Sequence, residues 1–228
     1  SMQVVAYDAG DGAFAARLWW LLKTLGHRDV AVLDGGWARW SVLGLPANPA
    51  QPLVSPTHYH GAFDTDRLLD APAVPRRLAA GDLLIDARAA GRFRGEVEPI
   101  DRVAGHVPGA SNRPYASNLS EGRFKSAPRL AQEFAALLDG RDPQQVIAMC
   151  GSGVTACHHL LAMAHAGLHG ARLYTGSWSG WIEDPARPVS RAPRPVPPRS
   201  RPPTAAVPTT RRAERRRHWL RTGRGRPT

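Results

Sequence analysis

The sequence predicts an α/β protein, a parallel sheet flanked by helices, present as one complete domain plus a partial copy. Three observations predict it. Gln145-Val146-Ile147-Ala148-Met149 is a short apolar run that ends on Cys150, a glycine-rich turn follows, and then a helix rich in Ala, Leu and Met. Strand-like and helix-like stretches alternate, the pattern of parallel strands joined by helices that cover both faces. Part of the pattern also occurs twice. Val4-Val5-Ala6-Tyr7-Asp8 parallels Val146-Ile147-Ala148-Met149-Cys150 and His27 parallels His169, both at an offset of 142, while Trp37 and Trp40 parallel Trp178 and Trp181 at 141.

Taken in order, residues 1–45 carry the first copy: a strand at Val4–Ala6, a helix at Leu18–Leu25, a second strand, a Gly turn and a Trp-x-x-Trp segment. Only seven residues precede Asp8, against nearly 90 in the second unit before Cys150, so this copy reads as the C-terminal part of a truncated domain. The strand and the Leu18, Trp19, Leu21, Leu22 and Leu25 face should lack their usual cover, which predicts poor solubility or self-association. Residues 46–57, with Pro46, Pro49, Pro52 and Pro56, read as a linker.

The complete domain spans 58–189. Asp64-Thr65-Asp66 caps a short helix, Leu83 to Ala87 is a core strand, and Pro128 to Leu138 is an amphipathic helix with Leu130, Phe134, Leu137 and Leu138 on one side. The helix after Cys150 runs from Val154 to Ala166 and stops at Gly167. Residues 190–228 read as a disordered Arg/Pro-rich tail.

That tail explains the charge. Residues 191–228 hold 12 Arg, eight Pro and one Glu, the whole of the +11 net charge, and residues 1–190 balance 18 basic against 18 acidic groups. The folded part therefore gives no sign of nucleic-acid binding, and polyanion binding through Arg211 to Arg217 is a separate reading of the tail. No run of 18 apolar residues marks a membrane span, and no basic-then-apolar leader is present. Two cysteines make no disulfide framework, and a reactive thiol fits a reducing, cytoplasmic setting.

A cysteine at the end of a strand, before a Gly-rich turn and a helix, meets amides and a helix dipole that favour its thiolate, the nucleophilic form. The bland reading is a buried structural cysteine; the strand, loop and helix together favour the nucleophile. An anion loop of the Cys-x5-Arg type needs Arg at the position of Ala156, and no cationic side chain lies between Cys150 and Ala156. In the first copy Asp8 replaces the cysteine. A carboxylate cannot accept sulfur, so that copy should be catalytically silent.

Cys150-Gly151-Ser152-Gly153-Val154-Thr155, with Gly105-His106-Val107-Pro108-Gly109-Ala110 before it and Leu173 to Trp181 after it, resembles the tandem-domain rhodanese family over Val4 to Val189. The loop is similar to that of its 3-mercaptopyruvate sulfurtransferase branch. The resemblance implies a rhodanese-like fold in which Cys150, Gly151, Ser152, Gly153, Val154 and Thr155 form the catalytic loop. It implies a sulfurtransferase that moves sulfane sulfur from 3-mercaptopyruvate to cyanide or a thiol, such as a thioredoxin-like dithiol, through a Cys150 persulfide and without a cofactor.

In family terms Arg92, in the Gly-Arg-Phe step, binds the substrate carboxylate. Arg88 and Arg102 are further substrate candidates, and Arg88 and Arg94 equally suit structural ion pairs. Ile100 stands where the family carries a second arginine, with Arg102 two residues on. The family's Ser–His–Asp relay draws its His and Asp from the part of the first domain before this start. His106 reads as structural; His158, His159, His165 and His169 read as helix surface or core, with no metal set. The rival readings are thiosulfate:cyanide transfer and a weakly active or non-catalytic remnant.

Overall fold

Val146, Ile147, Ala148 and Met149 are all apolar because the strand they form is covered on both faces. Successive side chains point to opposite sides. Val146 and Ala148 join one apolar cluster with Leu130, Phe134 and Leu160, and Ile147 and Met149 join another with Val74, Trp178 and Trp181. Leu83 and Ile85 divide from Leu84 in the same way.

A computed structural model describes residues 2–50, 53, 55, 56 and 58–191, so nearly all of the Arg/Pro-rich tail reading lies outside the described residues. The elements are β1 (Val4–Ala6), α1 (Ala13–Thr24), β2 (Val30–Val32), α2 (Gly36–Val42), β3 (Leu68–Leu69), α3 (Ala73–Ala79), β4 (Leu83–Asp86), α4 (Ala90–Arg94) and β5 (Ser111–Asn112). They continue with β6 (Leu119–Ser120), β7 (Arg123–Phe124), α5 (Ala127–Leu138), β8 (Val146–Met149), α6 (Ala156–His165), β9 (Arg172–Tyr174) and α7 (Ser177–Trp181). Five strands make one sheet in the order β3-β9-β8-β4-β5, every pair parallel. β1 and β2 form a separate parallel pair, and β6 and β7 a short antiparallel hairpin.

The central pair sets the site. Asp86 lies in register with Met149, and Ala87 N–H donates to Met149 O at 2.8 Å. Cys150 and the segment after Asp86 therefore leave the sheet side by side at its carboxyl edge, where α/β folds place ligands.

The N-terminal segment departs from expectation. Its helix starts at Ala13, five residues before Leu18, and packs on α6. Ala16 and Trp20 join the same cluster as Leu160 and Met163, with Trp19 and Leu21 packed against it. Of the helix face expected to lack cover, Trp19 and Leu21 are therefore packed against this cluster, while Leu18 stays exposed, as does Phe14. The α6 helix opens at Ala156 rather than Val154, leaving Val154 and Thr155 in the turn. Asp64 caps a 3-10 turn at Thr65–Arg67, its carboxylate accepting the Asp66 N–H. Among the described residues no helix is long and apolar enough to cross a membrane.

Candidate active site

Cys150 directly follows β8 and is almost fully buried. Its Sγ accepts the Gly153 N–H at 3.1 Å, the amide contact the loop sequence predicts. Gly153 has φ +80°, and a Cβ there would stand 2.7 Å from Thr175 O, so only glycine fits the turn. The loop is anchored on its other side by the start of α7. Cys150 N–H donates to Ser177 Oγ at 3.1 Å, Trp178 N–H to Cys150 O at 3.0 Å and Ser179 N–H to Gly151 O at 2.9 Å. Ser179 Oγ also lies 2.8 Å from Asp101 Oδ1 and 2.9 Å from Gly151 O.

Above the loop opens a cleft of about 390 Å³. Cys150, Gly151, Ser152, Val154 and Thr155 line it together with Phe14, Arg88, Arg92, Ile100 and Tyr115. Thr155 precedes α6 without capping it through its side chain.

Of the three candidate arginines, Arg88 and Arg92 line this cleft and Arg102 does not. Arg92 reaches the cleft: its Nη1 lies 3.6 Å from where a Gly151 Cβ would stand. It is also held by Glu98, at 2.7 Å from Nη2, and by Asp101 Oδ2 at 2.9 Å. Glu98 itself stays below the usual carboxylate range: burial works against its charge, but Arg92 and the Asp101 and Ile100 amides outweigh that.

Arg88 borders the cleft too, but its guanidinium is engaged elsewhere. Its guanidinium grips Asp86 through Nε and Nη2, donates to Gly105 O at 2.7 Å and lies 4.6 Å over the Trp178 ring. With 1% of its side chain exposed and Glu98 on Nη1, it builds the loop and presents no free fork to a ligand. Arg102 lies elsewhere. It donates to Ile182 O and lines a different surface pocket with Val103 and Arg187, away from Cys150. Ile100 itself is exposed at the cleft.

At the first-copy position, Asp8 occupies a cradle like that of Cys150. Oδ1 accepts N–H groups of Gly10 and Gly12, both at 3.0 Å, and Oδ2 those of Phe14 at 3.0 Å and Ala15 at 3.1 Å. Partial burial opposes its charge, yet these four amides hold the carboxyl below its usual value. The loop so ordered presents Asp11 to Tyr115: the Tyr115 OH donates to Asp11 Oδ2 at 2.8 Å, and burial with this bond pushes the phenol up to about 12.

His158 and His159 are core residues. Asn118 Nδ2 donates to both Nδ1 atoms, at 3.0 and 2.9 Å, while the Nε2 atoms donate to Asp11 O and Arg113 O. Burial lowers both, His159 to about 3, against the bonds that favour the charged ring. Among the described residues no group of three or more His, Cys, Asp or Glu is placed to hold a metal. His106 stacks on Phe93 at 3.8 Å and bonds to Phe93 O through Nδ1, a structural role.

Sequence reasoning missed Arg17, Asp101, Ser177 and Ser179 as supports of the loop. Ser177 and Ser179 stood inside the Leu173–Trp181 motif, which was the available signal. Arg17 carried none: its contact to Gly153 O, at 3.3 Å, joins residues 136 apart in the chain.

The rhodanese-like domain model matches residues 1–43 and 70–184. The chain is 53% identical over 191 residues to a probable 3-mercaptopyruvate sulfurtransferase of Pseudomonas aeruginosa, covering 82% of this chain and 67% of that protein. It is 42% identical over 196 residues to the putative thiosulfate sulfurtransferase SseB of Mycobacterium tuberculosis, covering 82% of this chain and 66% of that one. Among solved structures, 3-mercaptopyruvate sulfurtransferase from Leishmania major superposes with a TM-score of 0.67 at 32% identity, over 81% of this chain and 53% of that one. The chain thus spans about two thirds of the length of these curated relatives and about half of that solved chain.

Proposed function

Since the chain belongs to the rhodanese family, we propose that it is a sulfurtransferase that carries sulfur on Cys150, taking it from 3-mercaptopyruvate and passing it to a thiol or cyanide. The observation that carries this reading is the Gly153 N–H aimed at Cys150 Sγ beneath an open cleft. In the first half-reaction the Cys150 thiolate attacks the donor sulfur. An S–S bond forms, the donor C–S bond breaks, and its electron pair leaves on the pyruvate enolate, which takes up a proton. In the second, an acceptor thiolate or cyanide attacks the outer sulfur and Cys150 leaves as thiolate. The loop amide supports negative charge on sulfur in both halves.

Arg92 is the carboxylate binder in this reading. Both Nη atoms lie near Gly151, and since Glu98 and Asp101 occupy Nε and Nη2, Nη1 is the corner offered to the carboxylate. Ser152 lies exposed on the cleft wall, where its hydroxyl meets the donor. The second reading, thiosulfate as donor with sulfite leaving, is favoured by the similarity to the putative thiosulfate sulfurtransferase of M. tuberculosis. The absence of a cationic side chain from Gly151 to Thr155 weighs against it, because a dianion needs more than one partly engaged arginine.

The acceptor we assign is a small thiol or a thioredoxin-like dithiol, in a reducing, cytoplasmic setting that keeps Cys150 and Cys157 as free thiols. Self-association is part of the proposal too, since Val5, Tyr7, Trp37 and Val42 of the N-terminal segment stay exposed. Pyruvate release from 3-mercaptopyruvate, compared with sulfite release from thiosulfate under one acceptor, tests the donor. Faster pyruvate release supports the first reading; faster sulfite release replaces it with the second.

A further inference from the structure

Gly153 is held through both its N–H and its carbonyl. Its N–H faces Cys150 Sγ at 3.1 Å, and its left-handed backbone sits where a Cβ would collide with Thr175 O. Its carbonyl accepts the Cys157 thiol at 3.4 Å and the Arg17 guanidinium at 3.3 Å. The same Nη1 of Arg17 lies 3.7 Å from Cys157 Sγ. Arg17 belongs to α1, whose buried Trp20 carries the guanidinium 5.2 Å above its ring. A cation stacked on a ring fixed in the core has a set direction. Cys157 is buried, which pushes its thiol up to about 12, so it stays protonated and donates.

The amide that meets the sulfur and the carbonyl that Arg17 grips flank one Cα. Glycine has the widest backbone freedom of any residue, so holding this carbonyl restricts where the neighbouring amide can point. We propose that Arg17 is a positioning residue for sulfur chemistry at Cys150: by clamping Gly153 O it keeps the Gly153 N–H on the sulfur. Through Arg17 the N-terminal segment, which has Asp8 at the position that parallels Cys150, thereby serves the reaction from outside the cleft. This inference rests on the sulfur-carrier reading, deepens it, and adds a role for the part of the chain that carries no nucleophile.

The test uses the full chain with Arg17→Gln, Arg17→Lys and Cys157→Ala, and reads two rates. One is alkylation of Cys150 by iodoacetamide, which needs no sulfur donor. The other is kcat and KM for pyruvate release from 3-mercaptopyruvate. Arg17→Gln should slow alkylation and kcat about tenfold with KM little changed, since misplacing one stabilising donor by a fraction of an ångström has effects of this order. Arg17→Lys, which keeps a cationic donor, should recover much of both rates. Cys157→Ala removes the other donor to Gly153 O and should slow alkylation in the same direction by a smaller factor. Wild-type rates in Arg17→Gln overturn the proposal, as does an Arg17→Lys protein as slow as Arg17→Gln. Wild-type alkylation in Cys157→Ala overturns the premise that anchoring this carbonyl matters. If the unaltered chain alkylates but releases no pyruvate, the sulfur-carrier reading fails instead, and the alkylation comparison still decides the role of Arg17.

Discussion

Gly153→Ala should separate the stability of the loop from its chemistry. At φ +80° a residue with a Cβ pays about 1–2 kcal/mol for the left-handed backbone. The added methyl would also stand 2.7 Å from Thr175 O, against the 3.4 Å of ordinary contact, and the obstacle is backbone rather than a side chain that can swing away. The two strands of the turn must part by several tenths of an ångström, which brings the total cost to about 2–3 kcal/mol. A unit of this size then loses about 5–10 °C in its melting temperature. The catalytic effect should be larger. The Gly153 N–H moves with its own Cα, so its 3.1 Å contact to Cys150 Sγ is lost, and displacements near 1 Å at a reacting centre cost about 100-fold in rate. Thermal unfolding followed by circular dichroism gives the first number, and single-turnover sulfur loading below the melting transition gives the second. A folded Gly153→Ala protein that loads sulfur at the wild-type rate refutes the assignment of this amide to the sulfur.

Asp8→Ala removes the acceptor of four backbone amides in the N-terminal loop and should lower stability by about 2–3 kcal/mol, read from chemical denaturation; an unchanged midpoint contradicts the cradle. Arg88→Met leaves Asp86 buried without its partner and should cost about 3–5 kcal/mol, with soluble yield falling in step; a stable Arg88→Met protein that instead shows a raised KM would return Arg88 to the substrate. Acid should destabilise the fold. His159 stays neutral in the fold down to about 3 while the unfolded chain binds its proton near 6.5, so in that window the unfolded state holds more protons and stability falls with pH. The slope approaches about 1.4 kcal/mol per pH unit for each such histidine, and His158 shifts in the same direction. Urea midpoints that stay level between pH 7 and pH 5 contradict the neutral, Asn118-bridged pair.

The strand, loop and helix around Cys150 were legible because their signals are local. A four-residue apolar strand, a glycine that only a left-handed turn needs, and an Ala/Leu helix are each set by neighbours in the chain. The α5 helix was legible for the same reason, with Leu130, Phe134 and Leu138 all buried as its spacing requires. The arginines were not. Arg88 and Arg92 both follow β4 within six residues, and their roles are divided by Asp86 on that strand and by Glu98 and Asp101, whose placement depends on how residues 95–105 return to the sheet. Arg102 turns away because that same segment leaves Ile100 at the cleft and carries Arg102 to Ile182 O. The cover of α1 was hidden too. Only the packed structure sets Trp20 against Leu160, and Arg17 against a carbonyl in the reactive loop.

The central claim is that Cys150 carries sulfur, and intact-protein mass after incubation with 3-mercaptopyruvate or with thiosulfate tests it most directly. The account predicts a gain of one sulfur atom that dithiothreitol removes and Cys150→Ser abolishes, with 3-mercaptopyruvate the better donor. Folded, soluble protein that gains no mass from either donor would contradict it.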